Sequence, residues 1–370
     1  MLALAILAVA QTNALPDWAI GGFERPANVN PVISPREASM FPDPMSGDSV
    51  AWEGSDTFNP AATVKNGRIV VLYRAEDHLA EGIGRRTSRL GYGESRDGIR
   101  FERRSEPVLF PGNDSQKEAE WPGGCEDPRV VVTEDGTYAV FYTQWNRNQA
   151  QLAVATSRDL LHWTKYGSIF RNSDFHPGFF KSASPITKVS RGKQVLAKIG
   201  GKYWMYWGED AVFAATSTNL IDWTPVRDTD GNIKKLATPR KGYFDSVLTE
   251  CGPPAVLTDK GIVLLYNGKN AGEDGDARFT AGAYCAGQML FSKDDPTAFK
   301  ARLDVPFFRP MEPFEKSGQY VQGTVFVEGL TWFKGKWFLY YGCADSRVGV
   351  AIFDPKHPKP GDPLPPPTSF

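Results

Sequence analysis

A turn glycine followed by an aromatic strand occurs five times in this chain, and it limits the possible folds more than any other feature. The copies begin at Gly67, Gly136, Gly201, Gly261 and Gly335. Each continues into β-branched or aromatic residues, which is typical of the second strand of a β-hairpin. Steps of 69, 65, 60 and 74 residues separate them. Repeats of this size with several strands indicate propeller blades, so the sequence predicts an all-β, five-bladed β-propeller with a central active-site cavity.

Four of the copies are followed by a serine and, six or seven residues later, an aromatic residue that closes a short turn, whereas the fifth ends at residues 348–353 without this turn. We therefore expect the N-terminal segment, around residues 17–50, to supply a strand that closes the ring. Residues 15–370 are predicted to form this single propeller domain.

Charge and the N-terminal residues restrict the partners and the compartment. The chain has 42 Lys and Arg against 43 Asp and Glu, and this balance does not favour nucleic acid or an anionic membrane as partner. Residues 1–14 are apolar with small residues at Ala10 and Ala14, which predicts a signal peptide and export to the periplasm or the medium. An ordinary N-terminal strand is the alternative. No later apolar run approaches the ~20 residues that span a bilayer.

The cysteines and histidines do not predict a metal centre. Cys125, Cys251, Cys285 and Cys343 are far apart and form no Cys-x-x-Cys pair. We expect buried free thiols in preference to two disulfides. No metal or organic cofactor is predicted.

Polar residues occur where the innermost strand of each blade should begin. The five segments are Asp56–Pro60, Cys125–Arg129, Lys181–Pro185, Glu250–Pro254 and Val327–Gly329. Proline cannot donate to a β-ladder and belongs at the start of a strand. Because these strand starts converge in a propeller, their polar side chains predict a site in the central cavity.

The expected cavity contains several carboxylates. Asp127, Glu209, Glu250 and Asp345 all lie near strand ends. Hydrolysis of a glycosidic bond requires one carboxyl group as proton donor and a second to activate water or to attack carbon. Aromatic faces that stack on sugar rings could come from Trp145, Trp204 and Trp207, which could equally belong to the blade core.

Five segments together resemble glycoside hydrolase family 130. They are Gly124-Cys-Glu-Asp-Pro-Arg129, Lys202-Tyr-Trp-Met-Tyr-Trp-Gly208, Phe244-Asp-Ser246, Glu250-Cys-Gly-Pro-Pro254 and Tyr340-Tyr-Gly-Cys-Ala-Asp345. The resemblance extends from about Asn59 to Phe353. It implies a five-bladed propeller that acts on β-mannosides, either as an inverting phosphorylase or as an inverting hydrolase, with Asp127 as the proton donor.

Two features favour the hydrolase. The phosphorylases commonly have Tyr-His-Gly where this chain has Tyr266-Asn-Gly268. Glu209 and Glu250 resemble the glutamates of the secreted β-1,2-mannosidases, and their charge would repel phosphate. We therefore expect an inverting hydrolase of β-mannosidic linkages in manno-oligosaccharides, with β-1,2 as the expected linkage and with Glu209 and Glu250 activating water.

The remaining assignments follow from rim position and from the resemblance. The residues expected to bind substrate are Asn59, Arg74, Arg86, Arg129, Lys181, Asp245 and Asp345. A β-mannoside phosphorylase remains an alternative, with Arg129, Lys181 and Lys198 as candidate phosphate contacts. A non-catalytic sugar-binding propeller is the third interpretation. The loops 76–90, 112–124 and 270–282 are expected to form subsite walls, and the oligomeric state stays open.

Overall fold

The computed structural model describes residues 12–175 and 179–365. Within these ranges the chain forms 25 strands, one short α-helix, α1 (Lys117–Glu120), and one 3-10 helix (Pro313–Glu315). The chain is therefore nearly all-β, as predicted. The predicted signal peptide lies for the most part outside the described residues and stays a prediction.

The strands follow one another with short connections. The first are β1 (Met40–Pro42), β2 (Ser49–Ala51), β3 (Asp56–Lys65), β4 (Arg68–Glu76), β5 (Ser88–Ser95) and β6 (Glu102–Arg103). Next come β7 (Gly124–Val132), β8 (Tyr138–Trp145), β9 (Ala150–Ser157) and β10 (Thr164–Ser168). The middle of the chain contains β11 (Ala183–Pro185), β12 (Thr187–Ser190), β13 (Lys193–Leu196), β14 (Lys198–Ile199), β15 (Lys202–Trp207), β16 (Phe213–Ser217) and β17 (Thr224–Pro225). The last are β18 (Leu248–Cys251), β19 (Val256–Leu257), β20 (Ile262–Lys269), β21 (Tyr284–Phe291), β22 (Phe299–Arg302), β23 (Val325–Phe333), β24 (Lys336–Cys343) and β25 (Arg347–Phe353).

The five repeated aromatic strands are the middle strands of five antiparallel meanders. The meanders are, in chain order, β3-β4-β5, β7-β8-β9, β11-β15-β16, β18-β20-β21 and β23-β24-β25. All five repeat glycines have positive φ, a conformation that glycine adopts without steric cost. The prediction that each copy is a hairpin strand is confirmed.

Each repeat also buries one tyrosine whose hydroxyl is hydrogen-bonded. The five tyrosines, all fully buried, are Tyr73, Tyr142, Tyr206, Tyr266 and Tyr341. Their hydroxyls donate, in the same order, to Glu53, Glu120, the carbonyl of Pro296, Asp245 and Glu315. The residue opposite each on the next strand is glycine or alanine. A buried tyrosine hydroxyl needs such an acceptor. The four carboxylates among these acceptors therefore have a structural role.

The N-terminal segment packs on the last meander, although it does not form the predicted continuous strand. Glu24 bridges Ile352 and Ile33 bridges Val348, both as isolated antiparallel bridges on β25. Pro26 and Pro31 interrupt this stretch, and proline lacks the N–H that a ladder requires. The Arg25 guanidinium, 3.9 Å above the Phe308 ring, also binds Glu315 and so holds the segment in place.

Arg129 joins three meanders beneath their common centre. Its guanidinium is fully buried and donates to the carbonyls of Cys251 at 2.9 Å and Gly252 at 3.3 Å. It also donates to the carbonyl of Asp127 at 3.0 Å and lies 3.0 Å from a Glu328 carboxylate oxygen. Because these acceptors follow or belong to β18, β7 and β23, a single side chain links the second, fourth and fifth meanders.

Replacing Arg129 with methionine should therefore destabilise the fold. Arg129→Met leaves three buried backbone carbonyls without their donor and the buried Glu328 carboxyl group without its neighbouring cation, and breaking such a buried network costs about 3–5 kcal/mol. Urea unfolding at pH 7 measures this loss. Arg129→Met combined with Glu328→Leu should recover part of it, because an apolar pair replaces the buried charge. The control, Lys198→Met, changes an exposed lysine and should stay within about 0.5 kcal/mol of the wild type. Unfolding of Arg129→Met at the wild-type midpoint would contradict the prediction.

Candidate active site

Bulges in the first strands project polar side chains out of the sheets. The register of β3 shifts around Asn59, that of β7 shifts around Asp127, and that of β23 shifts around Glu328. Asn59 has φ 44° and Asp127 has φ 47°, a left-handed conformation that Asn and Asp tolerate better than most residues. A proline follows each of them, so the ladder is interrupted where the side chain turns out.

Asn59 and Asp127, but not Glu328, line a cavity of about 200 Å³ to which all five meanders contribute, the third through Lys181 just before β11. Its polar lining consists of Asn59, Arg74, Glu126, Asp127, Thr143, Lys181, Glu250 and Asp345. Its apolar and aromatic lining consists of Ile83, Gly84, Trp145, Ala150, Phe179, Tyr284, Tyr320 and Phe326. The combination of convergent charged groups and aromatic walls is typical of a ligand site.

Asp127 is buried and held by two donors. Its Oδ1 accepts hydrogen bonds from Asn59 Nδ2 at 2.8 Å and from Arg74 Nη1 at 3.0 Å. Burial alone would raise the pKa of Asp127, but the charges of Arg74 and Lys181 hold that pKa below its ordinary value. The carboxyl group is therefore ionised when the cavity holds no sugar.

Arg74 is shared by three carboxylates. Besides Asp127, its Nη2 donates to Glu76 at 2.7 Å and to Glu126 at 2.8 Å. One cation cannot neutralise three anions, and burial raises the pKa of Glu126 to about 7, with Arg74 opposing this and Asp127 and Glu76 adding to it. Near neutral pH Glu126 is consequently partly protonated.

Asp345 extends the acidic group on the opposite side. It follows β24, has φ 51° and lines the cavity. Burial raises its pKa to about 7, and the charges of Asp127 and Glu76 add to this effect while Arg74 opposes it. The cavity therefore contains two carboxyl groups, Glu126 and Asp345, that are partly protonated at neutral pH.

Lys181 brings the two predicted water-activating glutamates together. Its Nζ lies 3.3 Å from Glu209 Oε2 and 3.3 Å from Glu250 Oε1, so these two oxygens are at most twice that distance apart. The Ser182 hydroxyl donates to Glu250. Burial raises the pKa of Glu209, an effect that Lys181 opposes and Glu250 reinforces. Glu250 lines the cavity directly, whereas Glu209 reaches its edge through Lys181.

Three residues expected to bind sugar occupy other positions. Arg86 binds Asp56 and lies outside the cavity lining. Arg129 is buried beneath the cavity and directs its donors to backbone carbonyls and Glu328. Asp245 is fully buried, where it accepts from Tyr266 at 2.6 Å and pairs with Arg240 and Arg302. The charged groups of all three residues are paired with protein partners, and none of the three lines the cavity.

Other expectations for the rim are also revised. Lys198 is exposed beside Tyr203, 4.6 Å from that ring, and is not in the cavity lining. Of the three tryptophans only Trp145 lines the cavity, since Trp207 is buried in the core and Trp204 packs against a neighbouring core cluster. Of the three loops expected as walls, only 76–90 contributes lining residues, namely Ile83 and Gly84.

Several site residues were not singled out from the sequence. Glu126 stands next to Asp127 in the Glu-Asp-Pro-Arg block, and its adjacency was the available signal. Thr143 comes two residues before Trp145 on β8, and its Oγ1 is buried without a hydrogen-bond partner, as is Asn59 Oδ1. Tyr284, Tyr320 and Phe326 form the far wall, and no local pattern marks them.

The four cysteines are buried free thiols, as predicted. Among residues 12–175 and 179–365, no cluster of three or more His, Cys, Asp or Glu side chains has the arrangement of a metal site. In the same ranges no helix is both long and apolar enough to cross a membrane.

Comparison with known proteins agrees with this geometry. Residues 30–356 match the model of glycoside hydrolase family 130, described as β-1,4-mannooligosaccharide phosphorylase. A 1,2-β-oligomannan phosphorylase from Thermoanaerobacter sp. (strain X514) is 30% identical over 309 residues, which cover 82% of this chain and 92% of the relative.

Two solved structures are considerably more similar. One, reported as "The GH130 family of mannoside phosphorylases contains glycoside hydrolases that target beta-1,2 mannosidic linkages in Candida mannan", is 62% identical with a TM-score of 0.95, and the match covers 96% of this chain and all of that one. The other, a glycosyl hydrolase from Bacteroides ovatus, is 64% identical with a TM-score of 0.94, and covers 96% and 99%.

The protonated Glu126 should make stability depend on pH. Because the pKa of Glu126 is raised in the fold to about 7, its contribution to stability is complete below the unfolded-state pKa near 4.3 and is lost as pH rises through about 7. Glu126→Gln cannot titrate, so the loss of unfolding free energy between pH 5 and pH 8 should shrink by on the order of 2 kcal/mol. Urea midpoints across this range measure it. Glu102→Gln, which alters an exposed glutamate, should leave the wild-type slope intact, and an unchanged slope in Glu126→Gln would refute the assignment.

Proposed function

This chain belongs to glycoside hydrolase family 130, and we propose that it is an exported inverting β-mannosidase that hydrolyses β-1,2 linkages of manno-oligosaccharides. The observation that carries the proposal is the charge of the cavity. Its lining cations are Arg74 and Lys181, and each is already bound by two or more carboxylates. A phosphate dianion needs unpaired donors beside the sugar, whereas water needs only a nearby carboxylate base.

The relatives support the linkage. The solved structure at 62% identity is reported with hydrolases that target β-1,2 mannosidic linkages, and the curated relative at 30% identity is a 1,2-β-oligomannan phosphorylase. Both names specify β-1,2 linkages. They differ in whether water or phosphate accepts the mannosyl group. The β-1,2 assignment is therefore common to both interpretations of the reaction.

In the proposed mechanism Glu209 and Glu250 orient and deprotonate water. Their shared cation, Lys181, keeps both carboxylates close to one point. Asp127 lies on β7 and is bound by Asn59 of β3 and Arg74 of β4. Glu209 and Glu250 instead come from the third and fourth meanders. Placing the acid and the base on separate elements leaves room for the sugar and a water between them, as inversion requires.

The proton for the leaving group comes from the acidic group around Arg74. Asp127 is ionised in the empty cavity, while Glu126 and Asp345 each have a pKa of about 7. A sugar that fills the cavity excludes water and makes a second charge more costly. Asp127 then takes up a proton from this group and delivers it towards the glycosidic oxygen, directly or through a sugar hydroxyl.

A β-mannoside phosphorylase is the second candidate, favoured by the description of the matching family model. It would require Lys181 to leave Glu209 and Glu250 and bind phosphate.

We further propose that the five meanders are the blades of one propeller over residues 15–370, and that residues 1–14 direct export. Outside the cell, phosphorolysis offers no energetic advantage over hydrolysis.

Incubation of the purified protein with β-1,2-mannobiose, with and without inorganic phosphate, tests the reaction. We expect mannose at equal rates under both conditions, because the cavity already neutralises its cations. Mannose 1-phosphate that forms only with phosphate would establish the phosphorylase. Tight binding of the disaccharide without turnover would establish a sugar-binding protein.

In the same assay Asp127→Asn should reduce kcat/KM by roughly 10²–10⁴, the usual contribution of a general acid. Asp304→Asn is the matched control, since that aspartate is largely exposed. Activity of Asp127→Asn within tenfold of the wild type would remove Asp127 from the mechanism.

The pH dependence of kcat/KM should show the titration of the acidic group around Arg74. Since kcat/KM reflects groups of the free enzyme, and the acidic group must supply a proton, kcat/KM should fall as pH rises through about 7, the pKa of Glu126 and Asp345. Steady-state rates from pH 4 to pH 9 measure this. A rate that already falls steadily from the lowest pH of this range would instead show that only Asp127, with its lowered pKa, holds the proton.

A further inference from the structure

The mouth of the cavity carries exposed apolar side chains. Among the described residues, Ile83 is 57% exposed and Phe179 is 56% exposed, and both line the cavity entrance. Leu79, in the same loop as Ile83, is 62% exposed. Single exposed apolar residues are common on protein surfaces, but a cluster continuous with a cavity marks a binding surface.

Trp145 and Phe179 form the core of this entrance. Their ring centroids are 6.4 Å apart with an interplanar angle of 78°, so the two rings meet edge to face, and the exposure of Phe179 leaves much of its ring open to solvent. Trp145 is fixed, because its Nε1 donates to the carbonyl of Gly84 at 2.9 Å. Gly123 packs closely on its indole, where a Cβ would lie 2.2 Å from Cδ1.

The backbone at Phe179 is fixed even though its side chain is exposed. Phe179 forms a parallel bridge with Ala150, and the N–H of Phe180 donates to the carbonyl of Ala150 at 3.1 Å. The Phe180 side chain is buried in the neighbouring core. The chain therefore holds Phe179 outward in a defined position, in contrast to the side chain of a loose surface loop.

The size of the cavity leaves part of an oligosaccharide outside. About 200 Å³ is less than the ~300–1,000 Å³ of pockets that enclose drug-sized ligands. The charged groups all lie inside, where one sugar ring would meet Asn59, Arg74 and Asp127. A second ring linked to the first must then lie across the entrance, where the available surface is apolar and aromatic.

We propose that Phe179, supported by Trp145 and Ile83, forms an outer subsite that binds the second sugar ring of a manno-oligosaccharide by stacking on the Phe179 face. This inference rests on the proposed function, since it names the part of the substrate that the entrance holds. The C–H face of a pyranose matches an apolar ring, and its hydroxyls remain in water at the rim. A second copy of the chain is the competing occupant of this surface.

Kinetics of Phe179→Ala on β-1,2-linked mannobiose and mannotriose test the subsite. We expect kcat/KM to fall about tenfold, the effect of losing one aromatic contact. Inhibition by methyl β-mannoside, whose aglycone is too short to reach the entrance, should stay within twofold of the wild type. Phe179→Tyr retains the ring face and should retain activity.

Phe299→Ala provides a matched control. Phe299 is 44% exposed on β22 and makes a similar edge contact with Phe291 at 5.8 Å and 83°, but it is not part of the cavity. It should leave every kinetic constant unchanged. Equal losses for the oligosaccharides and for methyl β-mannoside in Phe179→Ala, or no loss at all, would overturn the subsite.

Light scattering on the same variants tests the competing occupant. Dissociation of a dimer by Phe179→Ala would show that the entrance is a subunit interface and would overturn the subsite. A wild-type protein that turns over no mannoside refutes the proposed function, and the subsite with it. Turnover by the wild type with an unaffected Phe179→Ala refutes the subsite alone.

Discussion

The fold and the site both depend on buried arginines at the point where the first strands converge. Arg129 donates to backbone carbonyls at the end of β18, which no ladder satisfies at this irregular junction, and lies beside the Glu328 carboxyl group. Arg74 lines the cavity itself and forms ion pairs with Glu76, Glu126 and Asp127. A guanidinium suits both positions because it remains charged when buried and donates in several directions from one plane.

The Glu-Asp-Pro-Arg block therefore contributes both to the cavity, through Asp127, and to the packing beneath it, through Arg129. Its bulge turns Asp127 into the cavity. Ordinary alternation would place Arg129, two residues later, on the same side of the strand, but the register shift between Glu126 and Arg129 directs Arg129 below the cavity instead. The Asp127 carbonyl accepts from Arg129 itself at 3.0 Å, which ties the strained bulge to the arginine beneath it. A substitution at Arg129 would therefore affect the site by moving the backbone that carries the acid.

The repeats and the charged strand starts were readable from the sequence, but the partners of the charges were not. Glycine and aromatic spacing predicted every middle strand, and the cavity lining contains Asn59, Arg74, Asp127, Lys181, Glu250 and Asp345 as expected. Asp245 lies outside the lining and accepts a hydrogen bond from Tyr266, a partner that is distant in sequence and that no local pattern indicates. Glu328 likewise follows a strand start, yet it pairs with Arg129 below the cavity. Periodicity predicts which face a residue occupies, whereas pairing depends on how separate meanders pack.

The interior of the cavity is charged and its entrance is apolar, so the two regions have different functions. Inside, carboxylates outnumber the cations Arg74 and Lys181, so the interior favours a neutral sugar and opposes an anionic acceptor. Such a crowded acidic group retains protons near pH 7 because burial and mutual repulsion raise the pKa of Glu126 and Asp345. The entrance is apolar and carries no part of this charge. Changes there can alter the binding of a longer substrate without disturbing the proton balance on which Asp127 depends.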